Sequence, residues 1–269
     1  TFQANVIARE RDRAEAEAAK TLAMNEFLGK TLASADPWSG GDYEVTVVQA
    51  LDVAVEQIDT AFENQPEVEA SMRAMLGETY LGLGKLEPAA EQIERAVQLR
   101  LAQGDFSAHK MGLLRMIEGR VNQQSADYEA AVTSASEAMR LFKDDPEATL
   151  QNRLDAIQQK IRNLLYLQRY AEADSMMQLS EVLASGPEGQ KLIVSAENLS
   201  QRADLFALRD GNYVAADSLS RLAYEHAMRI DPQSAAVAMY LNNVAQYHSV
   251  SGDYEGALVD FDRALELYE

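Results

Sequence analysis

Three histidines, His109, His226 and His248, are the imidazoles this chain offers for catalysis or metal binding, and it has no cysteine. The histidines are far apart and none stands in the His-Glu-x-x-His spacing that puts two rings on one helix face for zinc. Without cysteine, thiol catalysis, Cys-ligated zinc or iron–sulfur clusters and a disulfide framework are excluded. Carboxylates abound, 43 of them including Asp144-Asp145, but no pair is framed by apolar sequence that would tune one as an acid and the other as a base. Gly82-Leu-Gly-Lys85 has the flavour of a phosphate loop, yet the first glycine at the required spacing and the hydroxyl after the lysine are missing. Leu208-Arg-Asp-Gly-Asn212 and Asp260-Phe-Asp262 are the nearest strings to a kinase catalytic loop and metal-binding loop. The first lacks the histidine and the spaced asparagine, and the second falls in a helical stretch. The expectation is no catalytic residue, no metal and no cofactor.

Chemistry by binding remains, and charge limits it. With 24 Lys and Arg against 43 Asp and Glu, the 269-residue chain carries −19 at neutral pH. Such a field repels phosphate backbones and anionic membranes, so nucleic acid is excluded as a partner and basic partners are favoured. No apolar run approaches the roughly 20 residues of a membrane span; the longest, Ala235 to Leu241, stops at Asn242-Asn243. No membrane insertion is expected. The chain opens at Thr1 without Met, and its first 20 residues are charged instead of forming a signal core. They read as a piece of a longer protein.

The elements that must position any binding surface are helices. Hydrophobic residues make up 47% of the chain, enough for a core, while 14 Gly, 6 Pro and 7% aromatics leave few turns and exclude an all-β sandwich. An internal period decides the architecture. Leu86, Tyr128, Tyr170, Tyr213 and Tyr254 follow one another at 42, 42, 43 and 41 residues. Three residues after each stand Ala89, Ala131, Ala173, Ala216 and Ala257; ten after stand Ala96, Ala138, Ser180, Ala223 and Ala264. Small residues seven apart share one helix face and admit a close neighbour. Ile93, Met177 and Phe261, then Val97, Met139, Tyr224 and Leu265, supply the bulk between them. Gly84, Gly211 and Gly252, two residues before their anchors, fit a left-handed helix end. Each period is therefore two antiparallel helices.

The string Leu76-Gly77, Tyr80, Gly84, Leu86, Ala89, Ile93 and Ala96 resembles the tetratricopeptide repeat (TPR). Tyr240 to Ala245, Gly252-Asp-Tyr-Glu-Gly-Ala257 and Phe261-Asp-Arg-Ala-Leu265 look like its longer variant of about 42 residues, found in kinesin light chains and bacterial regulators. Asn122 stands where that pattern has an aromatic, and Ile161 and Asp204 where it has a small residue. The resemblance implies an all-α fold, a right-handed superhelix of antiparallel helix pairs. The expected organisation is a long N-terminal helix and a capping helix over 1–66, then about five repeats over 67–269. The long helix spans residues 1–33 and ends at Pro37 to Gly41; the capping helix runs from about Tyr43 to Phe62.

The resemblance further implies that the first helix of each pair lines a concave groove for a protein or peptide, or for a second copy of the chain. Counted on that pattern, the groove positions are Glu78; Met116 and Arg120; Gln158 and Arg162; Gln201 and Leu205; and Asn242, Asn243 and Gln246. Asn243 matches the asparagine that bonds a peptide backbone in kinesin-light-chain-like repeats, with Gln246 beside it. Arg120 and Arg162, cations facing inward, point to a carboxylate on the ligand. The charged stretch from Ala8 to Leu28 and Ala35-Asp-Pro37 are similar to the segment between the membrane helix and the C-terminal TPR array of bacterial serine/threonine protein kinases. That likeness implies the sensor or scaffold region of a kinase anchored in a bacterial inner membrane, with this part extracytoplasmic and itself non-catalytic. The alternative is a cytoplasmic scaffold or the effector region of a transcriptional regulator, with no kinase.

Overall fold

The computed structural model describes residues 46–104, 107–186 and 194–268, with 11, 18, 21–27 and 29. Every regular element among them is helical: α1 (21–27), α2 (Val47–Ala61), α3 (Pro66–Gly82), α4 (Leu86–Ala102), α5 (Ala108–Gln124), α6 (Tyr128–Phe142), α7 (Leu150–Tyr166), α8 (Tyr170–Ala184), α9 (Val194–Asp210), α10 (Tyr213–Ile230), α11 (Ala235–Val250) and α12 (Tyr254–Tyr268). The five sequence anchors are the first residues of α4, α6, α8, α10 and α12. Most of the helix expected over 1–33, and the break at Pro37 to Gly41, lie outside the described residues.

The turn between paired helices is built five times on one plan. The residue two before each anchor has positive φ: Gly84 at 70°, Ala126 at 60°, Gln168 at 58°, Gly211 at 61° and Gly252 at 88°. The next backbone N–H then reaches back to a carbonyl of the preceding helix, as Lys85 to Tyr80, Asp127 to Asn122, Arg169 to Leu164 and Asp253 to His248, each at 2.9 Å. This closure satisfies carbonyls that a helix end leaves without partners. In the fourth pair it is one residue longer: Asn212 N–H bonds Phe206 O, six back instead of five. Side chains of Asp127, Asn212 and Asp253 cap the second helices through the N–H groups of Ala130, Ala215 and Gly256. Gly82 to Lys85 and Leu208 to Asn212 are such turns, and Asp260 to Asp262 lies within α12.

The chain forms two compact units, Thr1–Ser107 and Ala108–Glu269. In the first, Phe27, Ala54, Ile58, Phe62, Val68, Met72 and Leu76 share one core, with the Phe27 and Phe62 rings 5.2 Å apart. The capping helix α2 and the first array helix α3 thus contribute to one core. Arg73 ties the helices together: buried, it donates to Glu69 at 2.8 Å, to Gln92 at 2.6 Å and to Asp59. Tyr80 Oη donates to Asp52 at 2.7 Å. A Cβ on Gly77 would stand 2.7 Å from Ile93 Cδ1, so only glycine lets α3 lie this close to α4.

The second unit holds four helix pairs, α5 to α12. The small positions of the second helices are buried throughout, Ala131, Ala138, Ala173, Ser180, Ala216, Ala223, Ala257 and Ala264 among them. Ile161, in the place of Gly77, is buried in a core with Ile157, Leu164, Leu165, Met177 and Leu205, and its pair α7–α8 is the least closely apposed of the four. The longer fourth turn moves α9 by one position against its anchor. The residue packed in the small place is thus Ala203, fully buried, and Asp204 is released from it. On α12, Phe261 and Leu265 are exposed, although their counterparts Ser220 and Tyr224 on α10 are covered.

Candidate functional site

Within the second unit the first helices α5, α7 and α9 gather, α7 touching both others, and α11 reaches α9 through side chains, whereas α6, α8 and α10 make no comparable approach to one another. A stack whose first helices crowd together and whose second helices spread apart curves towards the first, so their outward side chains form its inner face. A polar ladder crosses that face at a constant spacing of 43 residues. Gln159 Nε2 donates to Met116 O at 3.0 Å, and Gln201 Nε2 to Gln158 O at 3.2 Å. Tyr240 Oη donates to Glu197 Oε2 at 3.0 Å, and Tyr247 Oη to Asp204 Oδ1 at 2.6 Å. Asn243 Nδ2 lies 3.1 Å from Ser200 Oγ.

The residues expected to line a groove fall into two sets. Arg120, Arg162 and Gln246 are exposed, Asn242 and Asn243 partly so, and in the first unit Glu78 is exposed. Gln158, Gln201 and Leu205 are buried, at 5%, 3% and 2%. Gln158 spends its amide hydrogens on Ser180 Oγ at 2.9 Å and Asn198 Oδ1 at 2.7 Å, holding α7 to α8 and α9. Met116 packs beside Ala138, Phe142, Ala148 and Ala156. The fourth pair errs for one reason. One extra residue in its turn rotates α9 by about 100° against the anchor count, so Asp204 holds the place counted for Leu205.

Charge on this face is organised around Glu197. Arg162 Nη2 is 2.9 Å from Glu197 Oε1, which also accepts from Gln201 Nε2 at 3.0 Å. Partial enclosure of its carboxyl, and then the charge of Glu197, holds Asp155, an exposed residue, above the ordinary aspartate range, against the pull of Gln151 and Arg162. Burial likewise leads the rise at Asp204, with Glu197 adding and Tyr247 and Arg162 opposing. The Tyr240 and Tyr247 phenols are pushed well above their usual range, first by burial and next by Glu197 and Asp204, so both stay neutral donors. Arg162 is thus paired with the protein's own Glu197. Sequence reasoning missed Asp155, Glu197 and Tyr247; for the last two, donors and acceptors recurring 43 apart were the signal.

The histidines stay apart. His109 lies 5.9 Å from the Phe142 ring. His248, buried, has Nε2 3.2 Å from Asp217 and Nδ1 3.0 Å from Asp260. Among the described residues no group of three or more metal-ligating side chains comes together, and no helix is long and apolar enough to cross a membrane.

The tetratricopeptide-repeat family model matches residues 70–103, nearly all of the α3–α4 pair. No curated protein matches the sequence. Among solved structures the chain is similar to the apo form of RapI, at 14% identity and a TM-score of 0.57 over 74% of this chain and 70% of that one. It is also similar to BtubC (BKLC) from P. vanneervenii, at 13% identity and a TM-score of 0.52 over 93% of this chain and 89% of the other. The fold is an all-α helical-repeat solenoid of the TPR type.

Proposed function

We propose that the chain is a protein-interaction module that holds an extended peptide across the first helices of its second unit. The observation that carries this reading is the ladder. Stacked first helices present Asn242, Asn243 and Gln246 beside Arg162 and Asp204 on a face whose backbone groups are already satisfied. Side-chain amides on such a face can pair with a peptide backbone whatever its sequence, and flanking charges supply selectivity. Panning a random peptide library against the full chain tests the reading. Selected peptides should lose binding to Gln246→Trp, which fills the face from an exposed position. Retention of binding by that variant, with loss on Phe261→Ser/Leu265→Ser, would move the site to α12 and overturn it.

The segment from Ala8 to Leu28 supports a finer proposal, that this module is the sensor or scaffold region of a membrane-anchored bacterial serine/threonine kinase and acts outside the cytoplasm. Reading the coding sequence upstream of Thr1 tests it. A glycine-rich loop, His-Arg-Asp and Asp-Phe-Gly followed by about 20 apolar residues is expected; a DNA-binding domain there would refute it.

A further inference from the structure

We infer that the inner face of the second unit takes a cationic side chain, the ammonium of a lysine or the guanidinium of an arginine in an extended basic peptide, between Asp155, Glu197 and Asp204. The inference deepens the peptide-binding reading and rests on it. Three carboxylates converge here on a single guanidinium. Arg162 Nη2 reaches Glu197 Oε1 at 2.9 Å, and the same oxygen is shared with Gln201. Glu197 Oε2 and Asp204 Oδ1 accept from Tyr240 and Tyr247, neutral hydroxyls that orient the carboxylates without cancelling their charge. Among the described residues, Arg162 is the guanidinium bonded to Glu197 in this cluster, and the field of Asp155 and Asp204 adds two further carboxylates.

A second observation points the same way. Gln201, 97% buried by its 3% exposure, gives its amide hydrogens to Gln158 O and Glu197 Oε1, while its own Oε1 accepts no hydrogen bond. Gln158 Oε1, on the neighbouring rung, is likewise without a donor. A buried acceptor left open is unfavourable, and an arriving ammonium or guanidinium carries only donors. Burial raises both aspartates first, and the negative charge of Glu197 adds to it. The −19 charge of the whole chain steers cations towards it, and the cluster fixes where one would stop.

The test titrates the full chain with three fluorescein-labelled peptides of about twelve residues that alternate serine with lysine, glutamate or glutamine. The lysine peptide should bind. Asp155→Asn/Asp204→Asn should weaken it about tenfold, equivalent to about 1.4 kcal/mol. Glu225→Gln/Glu255→Gln, which removes the same charge from exposed positions on α10 and α12, should leave it within about twofold at 0.15 M salt, where distant charges are screened. Equal loss in both pairs, or loss in neither, overturns the inference. Binding of the glutamate or glutamine peptide instead, abolished by Gln246→Trp, would leave the peptide-binding reading standing and overturn the cationic ligand. Binding of none of the three overturns both.

Discussion

Replacing Ala126 and Gln168 by glycine should stabilise the second unit, although glycine normally weakens a helical protein. Both residues sit at φ near 60°, where an L side chain crowds the following carbonyl at a cost of roughly 1–2 kcal/mol. Glycine removes that strain but gives up roughly 0.5–1 kcal/mol through the greater freedom of its unfolded chain. The net gain is about 0.5–1 kcal/mol per site, and the two turns belong to different pairs, so the gains should nearly add. The reciprocal change, Gly211→Ala at the same turn position with φ 61°, should cost a similar amount. Urea unfolding followed by circular dichroism at 222 nm reads all three. For a unit of this size each kcal/mol should also move the melting temperature by about 2–4 °C. A lower urea midpoint for Ala126→Gly, with Gly211→Ala unchanged, would refute the argument that these turns are one structure used repeatedly.

Three other changes test the packing and the charge. Gly112→Ala should destabilise the second unit by about 1–3 kcal/mol in urea melts, because a Cβ there would overlap the Phe142 ring. Arg73→Met should cost about 3–5 kcal/mol, since it leaves the buried Glu69 carboxylate without its cation; a residues 1–107 melt unchanged by calorimetry would contradict this. Asp155→Asn/Asp204→Asn should raise the melting temperature at pH 7. A carboxyl whose folded pKa lies above its unfolded 3.8 holds more protons folded than unfolded, so its stabilising effect is full below that pH and is lost as pH rises through the folded value. The variant should therefore flatten the decline of stability above pH 3.8 and lose its advantage below it; a variant less stable at pH 7 than at pH 3 relative to wild type would show the sign to be wrong.

The positions that fix helix pairing were legible because each obeys a steric rule that leaves few residue types. Ala89, Ala131, Ala173, Ala216 and Ala257 recur at one offset, and all are buried. The anchors mark helix starts because the turn ahead of them has a fixed length. Where that length changes, before Tyr213, counting back from the anchor runs one residue out: the place counted for Leu205 is held by Asp204, and the small place counted for Asp204 by Ala203. Gln158 is buried for a different reason. A polar side chain looks the same in sequence whether it meets solvent or bonds across a helix interface, and only the partners Ser180 and Asn198 decide it. The charge balance favours a basic partner and the two inward arginines an acidic one; the sequence does not show that Arg162 pairs with Glu197, 35 residues away.

The rungs at 43 residues also set what lengths this chain can tolerate. One residue inserted inside α9 would turn everything after it by about 100°, driving Asp204 inwards and Leu205 out and breaking the bonds to Tyr240, Asn243 and Tyr247 together. The connections 143–149 and 231–234 lie between helix pairs and are free of that arithmetic. Growth or shrinkage by a whole pair leaves every surviving rung in step. The inner face is therefore editable in units of one rung's spacing, and a chain lengthened that way would gain one more place for a ligand residue per unit added.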